Sequence, residues 1–298
     1  MNKFIIIFLS ILLSDEIKVD SLKTIPKIDL SKGFDIPGII PKDLNFGKKR
    51  FLVESEIDEI KKKSASFEPK KVSNNDIVIF ETNRGKMKLK LFPEIAPKHC
   101  YNFKKLANSG FYDETLFHRI IQGFMIQGGD IYSRDNDPNN DGRGGPGWTV
   151  DAEFSDIPHK RGILSMARSS DPNSAGSQFF ICVADAFHLD GKYTVFGEVI
   201  ENIHIIDHIV NTPTEYMQAK NMSTEKIPEG QDIEQWITLR DPKTRKKLFS
   251  KVPKFKNKAN YEYEMKNKIK SDKPALPLII NKVRVVNSED MLEKDSIK

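Results

Sequence analysis

The residues best suited to chemistry lie in one stretch, 117–130, with the sequence FHRIIQGFMIQGGD. Arg119 sits there in an otherwise apolar run. A guanidinium is always charged and presents its donors as a rigid fork. Left unpaired among apolar neighbours, such a cation is costly. Arg119 is therefore either half of a structural ion pair or a fixed cation held for a ligand. Phe124 and Met125, read alone, are ordinary core residues, and Gln127 adds an amide. Further along the chain, Gln178 and Phe180 stand two apart, so a strand turns both to one face. A fixed cation beside amides and apolar walls can stabilise a polar group electrostatically, without acid–base chemistry.

The stretch 117–130 resembles the cyclophilin signature nearly residue for residue. The resemblance continues through 162–180 (GILSMARSSDPNSAGSQFF) and 189–197 (LDGKYTVFG). It spans roughly residues 76–211 plus the last strand. Three separated matches in the right order are more specific than any single short motif. The resemblance implies a peptidyl-prolyl cis–trans isomerase. An Xaa-Pro bond rotates slowly because amide resonance sets a barrier of about 18–20 kcal/mol. No bond need break: the enzyme has only to hold the proline and favour the twisted amide over the planar one.

On that resemblance, Arg119 contacts the prolyl amide, and Gln127 contacts the substrate backbone and helps hold the arginine. Phe124, Met125, Phe180 and Leu189 match the walls of the proline pocket. Gln178 lies beside the substrate, and Ala167, Arg168, His188, Tyr193 and Gly142 line the rest of the groove. No cofactor and no metal are expected. The expected partners are proline-containing polypeptides, with no nucleic acid, and the expected state is a monomer. A rival reading is a proline-segment-binding chaperone or scaffold with little turnover; the retained Arg119 favours the enzyme.

Three positions depart from the family. His188 stands where human cytosolic members carry a tryptophan that helps bind cyclosporin. Tyr193 replaces a frequent histidine, and Arg168 replaces the usual asparagine, adding charge near the groove. The wording DPNSAGSQFF and LDGKYTVFGEV is closer to bacterial members. Residues 137–142 (DPNNDG) open like a calcium loop, but the twelfth position, which should be a bidentate Glu, is Trp148.

Many short strands must position these groups. Residues 76–81 and 86–92 read as strands, the second alternating Met87, Leu89 and Leu91 with Lys86, Lys88 and Lys90. Pro97 opens a helix and Gly110 closes it. Strands follow at 116–121, 123–127, 163–168, 178–183 and 193–199, then a helix at 202–210 and a last strand at 278–286. The pattern predicts a mainly β fold: a closed eight-stranded antiparallel barrel capped by two α-helices, with a polar insertion before the last strand.

The 298 residues carry 47 Lys and Arg against 42 Asp and Glu, a net charge of +5. That excess is too small to argue for nucleic acid. Cys100 and Cys182 read as packing residues in separate elements. Lys3 precedes an apolar run at 4–13 too short to span a bilayer. It reads as a signal peptide (1–14), predicting a secreted or periplasmic protein, or a membrane-tethered one if the signal is uncleaved. Residues 15–75 read as a linker or arm, 76–287 as the isomerase domain with its insertion at 215–273, and 288–298 as a polar tail. The insertion is basic around 240–258. It reads as a solvated, partly helical excursion, with a docking surface for an acidic client or surface as the sharper alternative. Its deletion is expected to leave peptide turnover largely intact.

Overall fold

The computed structural model describes residues 51–289. The signal expected at 1–14, most of the arm expected at 15–75 and nearly all of the tail expected at 288–298 lie outside the described residues.

Alternation of apolar and polar residues builds the first hairpin. Strands β1 (Asp76–Thr82) and β2 (Gly85–Leu91) pair antiparallel, with Val78, Phe80, Met87 and Leu89 fully buried. Helix α2 (Pro97–Ser109) follows, after the earlier helix α1 (Glu54–Ser66). Pro97 fits its first turn, where an amide proton has no partner to lose. Gly110 ends it at φ 88°, a left-handed conformation that costs glycine little.

The remaining strands are β3 (Thr115–Leu116), β4 (Arg119–Ile121), β5 (Met125–Gly128), β6 (Ile163–Met166), β7 (Phe179–Cys182), β8 (Val195–Glu201) and β11 (Ile279–Asn287). With β1 and β2 they form one nine-stranded antiparallel sheet in the order β3-β11-β1-β2-β8-β6-β7-β5-β4. Its two edges, β3 and β4, are separated in the chain only by Phe117 and His118. A sheet whose edges are so joined must curl strongly, and this one forms a half-barrel. The single strand expected at 116–121 is thus two. Between them the Phe117 amide donates to the Leu278 carbonyl at 2.9 Å, and the Phe117 ring packs on Phe179 with centroids 6.3 Å apart.

The curled sheet wraps an aromatic core. Phe179 meets Phe80, Phe103, Tyr112 and Phe117 at centroid distances of 5.5, 5.8, 5.5 and 6.3 Å. Residues of α2 and of helix α3 (His204–Val210) close over this core. Cys100 and Cys182 are free and buried, and burial pushes both thiols up to about 12. Helix α1 is mostly charged, yet Leu52, Ile57 and Val72 from its neighbourhood join the main core. Lys104 and Asp76, both nearly buried, pair at 2.6 Å beneath this segment.

The described residues contain five α-helices, of which α2 and α3 are the two expected over the barrel. Besides α1, the others are α4 (Glu215–Asn221) and α5 (Lys258–Lys268), which with the hairpin β9 (Trp236–Arg240) and β10 (Lys247–Lys251) form the insertion. The insertion is more than a solvated excursion. It has its own small core of Tyr216, Ala219, Ile237, Leu239, Leu248, Tyr261, Met265 and Ile269. Among the described residues no helix is long and apolar enough to cross a membrane.

Candidate functional site

The hairpin of β4 and β5 places the charged and amide groups. Its register sets Arg119 directly opposite Gln127, and Ile121 opposite Met125. Arg119 Nη1 donates to Gln127 Oε1 at 3.3 Å, and Gln127 Nε2 donates to Gln178 Oε1 at 3.0 Å. Gln178 Nε2 in turn donates to the carbonyls of Gly142 and Gly144, each at 2.9 Å. Each amide therefore accepts on one side and donates on the other, which fixes both orientations and gives the guanidinium a defined acceptor.

Beside this relay lies a pocket of about 220 Å³, lined by Arg119, Phe124, Met125, Gln127, Ala167, Arg168, Phe180, Leu189 and Tyr193. Met125, Phe180 and Leu189 are buried and cluster with Cys182 and Ala186, apart from the main core. Phe180 is braced on two sides. Tyr193 meets it edge-on at 5.9 Å, and the His159 ring lies nearly parallel to it at 6.1 Å. His188 packs its ring on Phe124 at 5.4 Å and is exposed, outside the pocket lining. Arg168 stacks on Tyr193 at 4.5 Å and donates to the Lys192 carbonyl at 2.8 Å, so its charge is pinned to the rim.

His159 belongs to an array that the sequence reading missed. Its Nδ1 lies 2.8 Å from Asp190 and its Nε2 lies 3.0 Å from Ser165 Oγ. The outline is that of a hydrolase triad. Ser165, however, is wholly buried and also bonds the Thr194 carbonyl at 2.9 Å. Its hydroxyl cannot reach a substrate, and the array serves to hold the ring behind Phe180.

Gly142 sits on a glycine-rich loop held by Asp130. The Asp130 carboxylate accepts from the Tyr132 amide at 2.8 Å and from the Gly142 amide. A side chain at Gly144 would place its Cβ 2.0 Å from Asp130 Oδ1, so this approach requires glycine. Burial pushes the Asp130 carboxyl up to about 6, while the amides of Tyr132, Gly142 and Gly144 pull it down. An unfolded aspartate titrates near 3.9, so between about pH 4 and pH 6 the folded state binds more protons. Native stability supplied here is therefore fully present below about pH 4 and declines as pH rises through 6. We expect the unfolding free energy of wild type, relative to Asp130→Asn, to fall by roughly 1–3 kcal/mol between pH 4 and pH 7. Urea titrations across that range measure it, and a flat difference would contradict it. His118 also faces this loop; burial, helped by Arg119 and Lys273, pushes its imidazole down to about 4. It is neutral near pH 7.

The second group of residues missed from sequence comes from the insertion. Its last residues return to β4, where the Ile120 amide donates to the Asp272 carbonyl at 3.0 Å. Asp272 Oδ2 lies 3.6 Å from Arg119 Nε, and Lys273 pairs with Asp141. Residues 270–273, at the end of the insertion, thus line a cavity together with Arg119 and Gln127. No group of three or more His, Cys, Asp or Glu suited to a metal ion occurs among the described residues, those of 137–142 included.

Residues 77–229, just over half of the chain, match the cyclophilin type peptidyl-prolyl cis-trans isomerase/CLD family. A probable peptidyl-prolyl cis-trans isomerase of Brucella suis is 44% identical over 137 residues, 44% of this chain and 70% of that protein. A peptidyl-prolyl cis-trans isomerase-like 2 protein of Gibberella zeae is 43% identical over 152 residues; the match covers 49% of this chain and only 25% of that longer protein. A crystal structure of a Cryptosporidium parvum cyclophilin type isomerase, in the presence of the dipeptide Ala-Pro, aligns with 30% identity and a TM-score of 0.47 over 70% of this chain and 98% of that one. With the family matched across the strands that build the groove, the chain belongs to the cyclophilin-type peptidyl-prolyl cis–trans isomerases.

Proposed function

We propose that this chain isomerises Xaa-Pro bonds in polypeptides by seating the proline ring in the pocket walled by Phe124, Met125, Phe180, Leu189 and Tyr193, with Arg119 against the prolyl amide. One observation carries the reading: Arg119, bonded to Gln127, lines a pocket of about 220 Å³ whose other walls include Phe124, Met125, Phe180, Leu189 and Tyr193. A planar amide delocalises the nitrogen lone pair into its carbonyl, and the twisted amide returns it to nitrogen. A guanidinium donating to that nitrogen binds the twisted form better than the planar one, which lowers the barrier. Gln127 and Gln178 hold the backbone on either side of the bond, and Ala167, Arg168 and Gly142 border the continuing groove. His188, outside the pocket lining, forms part of the outer rim. The neutral His118 and buried Ser165 supply no acid or base, and none is required.

The test is an amide-shift titration with Ala-Pro and Ala-Ala peptides matched in length. Saturable shifts confined to Met125, Gln127, Phe180 and their neighbours with the proline peptide alone support the reading. Equal shifts with both peptides would contradict it.

The architecture extends the same proposal. Residues 115–121 act as one interrupted strand shared by both sheet edges, which closes the sheet as an eight-stranded barrel; the bridge between Leu116 and Asp130 supports this. We take 76–287 as the domain, with α1 an accessory clasp on its surface. The basic insertion, lined at one hollow of about 510 Å³ by Arg240, Arg245, Lys247, Lys266 and Lys270, suits an acidic client. Export from the cytoplasm is proposed on the apolar run at 4–13 alone.

A further inference from the structure

The insertion does more than border the groove. Its return segment is fastened at two points. The Ile120 amide holds the Asp272 carbonyl at 3.0 Å, and Lys273 pairs with Asp141 while reaching the Pro138 carbonyl at 3.4 Å. Asp272 is thereby fixed against β4, with its carboxylate 3.6 Å from Arg119 Nε. The Arg119 side chain is 46% exposed and that of Asp272 28%, so neither is held by deep burial. A second cavity, of about 410 Å³, opens where the two meet and is lined by Arg119, Gln127, Asp141, Lys270, Asp272 and Lys273 among others.

We propose that Asp272 is a positioning residue for Arg119, so that the insertion completes the active site. The inference rests on the role given to Arg119 above. A guanidinium is planar, and its long stem rotates freely in water. Gln127 holds it at Nη1. The Asp272 carboxylate, an ion-pair partner 3.6 Å from Nε, biases the fork toward one orientation in which Nη2 is left for the peptide. The Asp272 carboxylate also offsets part of the arginine's charge, which acts against catalysis. Between groups this exposed, water screens that charge effect. Misplacement of a donor acts directly on the reacting geometry, so the positioning effect dominates.

The experiment compares peptide isomerisation by the full chain carrying Asp272→Asn, Asp272→Ala or Asp272→Glu, each alone and each combined with Arg119→Ala. We expect Asp272→Asn and Asp272→Ala to lower kcat three- to tenfold with KM within twofold. Asp272→Glu should recover most of the loss, and melting temperatures should stay close to wild type. In the Arg119→Ala background the same changes should have no further effect. Unchanged or raised kcat in Asp272→Asn overturns the inference, as does an equal loss with Arg119 already removed. If Arg119→Ala collapses turnover and Asp272→Asn does not, only the positioning role fails. If Arg119→Ala keeps its turnover, the role of Arg119 fails and takes this inference with it.

Discussion

Arg119→Ala is expected to lower kcat/KM on an Xaa-Pro peptide by about 10²-fold, the scale found when a single preorganised donor is removed from an active site. The loss should fall mainly on kcat. The proline ring keeps its apolar walls, so ground-state binding changes little, whereas the cation acts on the twisted amide alone. Stability should change by less than about 1 kcal/mol, because Arg119 is half exposed and its ion pair with Asp272 is at the surface. The neighbouring Gln127 loses one donor but keeps its bond to Gln178. A folded variant with less than a threefold loss would remove Arg119 from the mechanism. A loss confined to KM would make it a binding contact.

The second large effect separates two adjacent residues on β7. Phe179 points into the main core at zero exposure, against four other aromatic rings. Phe180 points the other way, into the pocket beside Arg119. Truncating a fully buried phenylalanine costs about 3–5 kcal/mol through lost burial and the cavity left behind. Phe179→Ala should therefore unfold at clearly lower urea concentration, and whatever remains folded should turn over normally. Phe180→Ala should be the reverse: a smaller stability loss and a raised KM, because the ring that walls the proline is gone. Urea midpoints and steady-state kinetics on both variants check the pair. Equal stability losses with unaltered KM would show that the strand does not split core from groove as described.

That split was legible in the chain, since residues one apart on a strand face opposite ways. The β2 alternation, the Pro97 and Gly110 limits of α2 and the 117–130 stretch were equally plain, because each depends on neighbours close in sequence. What could not be read depends on distant returns of the chain. Asp272 lies at the end of an insertion whose own core takes only one or two residues from each of α4, β9, β10 and α5, too few in any one element to stand out. The His159, Ser165 and Asp190 array spans three segments. Helix α1 lies in the stretch expected as a linker or arm, and Leu52, Ile57 and Val72 join it to the main core amid polar residues. The break at Phe117 and His118 was hidden because an unbroken apolar run looks the same as one shared between two sheet edges.

The most direct test of the account is cis–trans exchange of a saturating Xaa-Pro peptide, followed by two-dimensional exchange spectroscopy with wild type and with Arg119→Ala. Uncatalysed exchange takes tens to hundreds of seconds. Wild type should bring it well below a second at catalytic concentration, and Arg119→Ala should return it most of the way to the uncatalysed rate while the peptide still binds. Exchange that stays at the uncatalysed rate with wild type bound, or that is equally fast without Arg119, would contradict it.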